Sequence, residues 1–204
     1  MNLTRRAHEW LNDNLALDDI LPVQMPLYVN SVAYLFGVST LSALGMLVLT
    51  GVILALFGPG WYHEAPAGRF FNSLHFWSVQ VFFGAMILHL ATKFFMAAWR
   101  DGRVATWIVG MLVFAVAIFT GLTGYLCQTN WDSQWIAVQA KDAMNAFGVG
   151  AFFNTMNTGQ VLTLHVVVLP LVIAILTGIH LAQLRRDSPV RPLPEDGAQD
   201  EQTL

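Results

Sequence analysis

Four histidines, His75, His89, His165 and His180, stand two by two inside apolar segments long enough to cross a membrane. Thirteen residues separate the first two and fourteen the second two. On an α-helix each pair therefore recurs after nearly four turns, about 21 to 23 Å along the axis. The angular offset is about 40° short of four turns for the first pair and about 60° past for the second, so both imidazoles of a pair face one side. Imidazoles at membrane depth are costly to leave unpaired and mark sites facing a bundle interior. Two such helices facing each other make two stacked sites, each with two axial nitrogens for one iron. Zinc would require further ligands, and no Cys, Asp or Glu lies nearby at membrane depth. His8 and His63 fall outside the spans and receive no such role.

The composition fits that depth. Of 204 residues, 55% are hydrophobic and 11% charged, far from the roughly 25% charged of soluble domains. The fold class expected is an all-α membrane protein, a four-transmembrane-helix bundle holding two stacked haems, with an N-terminal amphipathic surface helix. The net charge of −3 and the scattered basic residues exclude a nucleic-acid patch. The single cysteine, Cys127, rules out an internal disulfide, and no C-x-x-C-H is present for covalent haem attachment. The basic N-terminus lacks an immediate apolar run and cleavage site, so no removable signal peptide is expected.

The chain divides into residues 1–31, 32–186 and 187–204. In the first part, Trp10, Leu11, Leu15, Leu17 and Ile20 alternate with charges over 4–20, which suits a helix lying on a membrane surface; a solvated tail helix fits the same pattern. Spans are expected at Val32–Phe57, Ser73–Ala98, Ala105–Leu126 and Val161–Leu184. The Gly58-Pro59-Gly60 and Pro66 punctuation predicts a loop over Gly58–Asn72. Between the third and fourth spans, 34 residues are too many for a passive link, and Asp132–Ala146 reads as a short amphipathic helix. The polar, Pro-containing end from 187 to 204 reads as disordered.

Charge gives the orientation. The side holding both termini carries Arg5, Arg6, Lys93, Arg100, Arg103, Arg185, Arg186 and Arg191, the other only Arg69 and Lys141. Both termini should be cytoplasmic, in an integral multi-pass protein of a bacterial cell membrane. His75 then meets His165 near the outer face, and His89 meets His180 near the inner face. Glycines repeat the same two levels: Gly51 and Gly124 at the outer, Gly37 and Gly110 at the inner, fourteen apart on the first and third spans. A side-chain-free patch lets a flat macrocycle approach a helix that does not ligate it, although membrane helices also pack through small residues generally. Among the inner basic residues, Arg103 and Arg185 lead as partners for haem propionates, with Lys93, Arg100 and Arg186 behind; the reading that all of them only fix topology stays open.

Several stretches carry a resemblance: PLYVN with Gly37 and the LTG ending at Gly51, SLHFWSVQVFFGAMILH, TW, GLTGY, and His165-VVVLPL followed by His180 and Arg185-Arg186. With them the chain resembles, over nearly its whole length, the N-terminal half of cytochrome b of the quinol:cytochrome c or plastocyanin oxidoreductases, in its split, cytochrome b6-like form. The resemblance implies two non-covalent, bis-histidine b-type haems, the low-potential one on His75/His165 and the high-potential one on His89/His180, with quinone/quinol as substrate. It implies a Rieske iron–sulfur subunit, a C-terminal cytochrome b fragment, a c-type cytochrome or other acceptor, membrane lipid and a dimeric complex as partners. The chain departs from the family in having Phe76 after the first histidine in place of arginine. Tyr34 stands where a tethering cysteine occurs, and GYLCQTNW replaces the usual turn. The Pro-Glu-Trp-Tyr element of quinol oxidation is absent, so a partner would have to supply it. Two other readings stay open on sequence: a di-haem membrane anchor joining the quinone pool to a peripheral enzyme, and a non-redox bundle with structural histidines.

Overall fold

The computed structural model describes Arg6 and residues 31–187. Apart from Arg6, the expected surface helix over 4–20 lies outside the described residues, as does the tail beyond Asp187. The rest is helical, with no strand among the described residues: α1 (Val32–Glu64), α2 (Pro66–Phe95), α3 (Val104–Leu126), α4 (Trp131–Ala146) and α5 (Thr158–Arg186). Four of these, α1, α2, α3 and α5, are long and apolar enough to cross a membrane. Their outer faces carry exposed Leu49, Phe95 and Leu171, as expected where the solvent is lipid and not water.

The loop expected over Gly58–Asn72 does not form. Gly58 takes φ 75°, ψ 175° and kinks the chain, and helix resumes at once to Glu64. The left-handed φ suits glycine, and Pro59 and Pro66 then stand at the start of new helical segments, where their missing N–H groups cost nothing. The punctuation is real, but it marks two sharp joints and not a disordered span. Gly68 is buried against the backbone of Trp61 and Tyr62, where any side chain would collide, so α1 and α2 meet tightly.

Along the bundle α1 packs on α2 and α3 on α5, while α2 and α5 scarcely approach each other in backbone. The two histidine-bearing helices thus flank a slot. Halfway along it, one buried residue or pair from each helix closes the core: Ala43, Phe82 with Met86, Ala117 and Ile173. In sequence Ala43, Phe82, Ala117 and Ile173 each lie about midway between the two site residues of their own helix, with Met86 one turn nearer His89, so this apolar plug divides the interior into two levels. A second cluster, Leu126, Cys127, Ala137 and Val161, seats α4 against the ends of α3 and α5. Asn130 caps α4 by accepting from the Ser133 N–H at 2.9 Å, and Thr155 donates to the Ala137 carbonyl at 2.7 Å.

The fourth span begins three residues before its expected start and is not one regular helix. Leu164–Val168 form a π turn between α-helical Thr158–Thr163 and Leu169–Arg186, with the Leu169 N–H reaching the Leu164 carbonyl. A π turn absorbs one extra residue. That is the residue by which His165 to His180 exceeds His75 to His89, so the 60° overshoot expected of a straight helix is taken up locally. Pro170, which has no N–H to give, stands just beyond the turn.

Candidate functional site: two histidine levels

The structure brings the four histidines together as two pairs. His75 and His165 face each other with ring centroids 6.3 Å apart and planes at 86°. His89 and His180 lie within electrostatic reach of one another at the other level. Among the described residues no third His, Cys, Asp or Glu joins either pair, so the donor set at each level is two imidazoles. An iron bound to two ring nitrogens at about 2 Å would hold the ring centroids about 6 to 6.5 Å apart. The His75/His165 separation fits such an ion.

Each histidine lies on one glycine of a neighbouring helix. A Cβ on Gly51 would come 3.4 Å from His75 Cε1, and one on Gly37 would come 3.2 Å from His89 Cε1. On α3, a Cβ at Gly110 would stand 3.1 Å from His180 Cε1, and one at Gly124 only 2.5 Å from His165 Cε1. The bare surface at these four glycines therefore receives an imidazole ring. For each ring the nearest backbone acceptor is the carbonyl four residues before its glycine: Leu47, Ala33, Thr106 and Thr120. In an α-helix that carbonyl also accepts the glycine's own N–H, so the absent side chain opens a shared acceptor to the ring.

The two levels differ in how well that contact closes. His165 Nδ1 lies 3.1 Å from the Thr120 carbonyl and 3.3 Å from Thr123 Oγ1. His75 Nδ1 lies 2.8 Å from Thr50 Oγ1. Both threonine hydroxyls donate to backbone, Thr50 to Met46 at 2.7 Å and Thr123 to Thr120 at 2.9 Å. Their oxygens are left to accept, which assigns the proton to Nδ1 in both histidines and frees Nε2 as a lone-pair donor. At the other level Nδ1 of His89 and of His180 face the Ala33 and Thr106 carbonyls without closing a hydrogen bond of good geometry.

Thr50 and Thr123 were not among the residues singled out from the sequence. Both are almost fully buried, 2% and 1% exposed. The available signal was the repeated Leu-Thr-Gly that ends at Gly51 on α1 and at Gly124 on α3; the inner glycines follow Phe36 and Val109 instead.

The basic residues of the inner level differ in their surroundings. Arg103 lies 3.3 Å from Asp101 Oδ2, and Arg185 is exposed. Lys93, half-buried one turn beyond His89, is the cation brought within electrostatic reach of both His89 and His180. Two cavities open beyond the His75/His165 level. One of about 590 Å³, walled by Phe119, Met144, Phe152, Phe153 and Leu164, lies between α3, α4 and α5. The other, of about 370 Å³, is polar and lies where α1, α2 and α3 end.

A family model described as cytochrome b (N-terminal)/b6/petB matches residues 80–203, more than half of the chain and three of the four histidines. The chain belongs to the cytochrome b N-terminal/b6 family. The menaquinol:cytochrome c reductase cytochrome b subunit of Geobacillus thermodenitrificans is 24% identical over 228 residues, covering 94% of this chain and 100% of that one. Cytochrome b6 of Mesostigma viride is 26% identical over 216 residues, with 92% and 99% covered. The cytochrome bc1 complex cytochrome b subunit of Mycobacterium leprae (strain TN) is 30% identical over 132 residues, 58% of this chain and 24% of that protein. A chain of a hyperthermophilic respiratory Complex III shares the fold with a TM-score of 0.73 at 23% identity, over 96% of this chain and 58% of that chain. The chain thus spans nearly the full length of the Geobacillus and Mesostigma relatives and a fraction of the longer ones.

Proposed function

We propose that the chain is the haem-bearing membrane subunit of a quinol-oxidising complex of the bc1/b6f kind, in which His75 and His165 would hold one b-type haem and His89 and His180 a second. It acts as one subunit of an oxidoreductase and is not catalytic alone. The observation that carries the reading is the pairing itself: two facing helices present two imidazoles at each of two levels, every ring seated on a glycine. Relatives named as cytochrome b6 and as subunits of menaquinol:cytochrome c reductase and bc1 complexes support it.

Bound at these levels, the haems supply reversible one-electron transfer between ferric and ferrous iron. The chain's own residues do the rest. The Thr50 hydroxyl holds His75, and the Thr123 hydroxyl with the Thr120 carbonyl holds His165, by Nδ1–H, leaving Nε2 as the nitrogen that would bind iron. Phe82, Met86, Ala117 and Ile173 keep the space between the levels dry. The 590 Å³ apolar cavity beside Leu164 has the size and lining of a site for a quinol ring one residue from His165. By the charge asymmetry, His75/His165 lie toward the outside of a bacterial cell membrane and both termini toward the cytoplasm. A Rieske iron–sulfur subunit, a C-terminal cytochrome b fragment carrying the remaining quinol-site residues, and a c-type cytochrome or other acceptor complete a dimeric assembly.

The test is His89→Ala in the purified complex, read by pyridine haemochrome analysis and redox titration. Two b-type haems per chain should fall to one, with the His75/His165 haem keeping its midpoint potential. Fewer than two haems in the unaltered protein, or equal loss of both in the folded variant, would sink the reading.

A further inference from the structure

We propose that Arg69, in the polar cavity beyond the His75/His165 level, holds the carboxylate side chains of the haem bound there. This rests on the b-type haem reading above. The cavity is lined by Tyr62, Arg69, Asn72, Ser73, Tyr125 and Gln128, among others. Asn72 lies one helical turn before His75, and Tyr125 follows Gly124, on which His165 rests, so the floor of the cavity is the next layer above both rings.

A b-type haem carries two carboxylates on one edge, and anions at the margin of a membrane interior require hydrogen bonds and a counter-charge. Several of the neutral groups here are already committed, and none of them brings a positive charge. Asn72 and Gln128 exchange two amide hydrogen bonds, Nδ2 to Oε1 at 3.2 Å and Nε2 to Oδ1 at 3.1 Å. The Tyr62 hydroxyl donates to the Cys127 carbonyl at 3.2 Å. Phe76, directly after His75, offers no charge. Arg69 is the arginine of the lining, and it enters no ion pair among the described residues. The second basic residue of this side, Lys141, is on α4 and does not line the cavity. His63, also on the lining, has only two ring nitrogens to offer, against the five N–H donors of a guanidinium. A guanidinium is the group suited to two carboxylates, because its fork binds them in a fixed plane.

The experiment is a pair of variants, Arg69→Gln and Arg69→Lys, in the assembled complex, with optical redox titration of both haems over a range of pH. Removing a positive charge disfavours adding an electron nearby. Arg69→Gln should therefore shift the reduction equilibrium of the His75/His165 haem downward by about tenfold, about 59 mV for a one-electron couple, and steepen its pH dependence as the carboxylates gain protons more easily. Arg69→Lys should restore most of the potential while shifting the propionate bending bands in resonance Raman spectra, and the His89/His180 haem should not move. An unchanged outer midpoint in Arg69→Gln with both haems present overturns the proposal, as does loss of a co-purifying phospholipid without a midpoint shift, which would assign the cavity to a lipid phosphate. If Arg69→Gln fails to assemble, an Arg69→Lys protein with unaltered bending bands overturns it equally. Absence of haem from the unaltered protein would count against the parent reading instead.

Discussion

Replacing Gly124 with alanine should remove the haem of the His75/His165 level, while the same change at Gly51, on the opposite wall of that level, should be tolerated. The new Cβ at position 124 would stand 2.5 Å from His165 Cε1, 3.0 Å from Nε2 and 3.1 Å from Nδ1. Carbon contacts settle at about 3.5 to 4.0 Å, so the ring has to retreat by about 1 Å or α3 and α5 have to part. A retreat of that size opens the 3.1 Å contact between His165 Nδ1 and the Thr120 carbonyl and strands a buried N–H, at about 1 to 3 kcal/mol. Overpacking adds about 1 to 3 kcal/mol. The sum of about 2 to 6 kcal/mol corresponds to a loss of haem affinity of roughly thirtyfold or more. At Gly51 the nearest approach is 3.4 Å, to His75 Cε1, ordinary van der Waals distance, and the expected cost is below about 1 kcal/mol. Haem content by pyridine haemochrome and the amplitude of each wave in a redox titration give the readout. If Gly124→Ala keeps both haems at unaltered potentials, or Gly51→Ala loses more haem than Gly124→Ala, the ring-on-glycine packing is not what sets the site.

Three further outcomes are expected. Deleting Val167 should convert the π turn to α-helix and leave two haems, whereas inserting an alanine after Val168 should lose one; the reverse result, measured as haem per chain, would contradict the register role of the turn. Thr50→Val removes the oxygen 2.8 Å from His75 Nδ1, so outer-haem affinity should fall about tenfold to a hundredfold and the outer midpoint rise, since the imidazole becomes a weaker donor to ferric iron; an unmoved midpoint would count against this bond. Burial pushes the Cys127 thiol from its ordinary 9.0 up to about 11, so at pH 8 the folded protein should carry roughly a hundredfold less thiolate than an exposed cysteine and resist iodoacetamide. Because the folded state holds this proton more tightly, the associated stability is full below about pH 9 and lost between about 9 and 11; labelling at pH 8 as fast as in denatured protein would refute the burial.

Much of the candidate site was legible because histidine and glycine are conspicuous in apolar helices. Spacing alone gave the four histidines their two levels, and the long apolar runs gave four spans. The segment over Gly58–Asn72 was misread because glycine and proline mark a bend whether the chain then loops or starts another helix, and only the packing of Gly68 on Trp61 chooses between them. Thr50 and Thr123 escaped notice because threonine in a membrane helix ordinarily bonds its own preceding turn. These two do that as well, and accept from a histidine on another helix.

The sequence by itself determined the number and apolar character of the spans and the relative depth of each histidine and glycine, because those follow from hydropathy and from a fixed rise per residue. Tertiary structure decided which ring rests on which glycine, which carbonyl and hydroxyl hold Nδ1, and where the extra residue of α5 is absorbed. Those depend on the rotation of each helix about its axis and on close approaches of a few tenths of an ångström. Such approaches are set jointly by all four helices around the plug of Ala43, Phe82, Met86, Ala117 and Ile173, and no single segment encodes them.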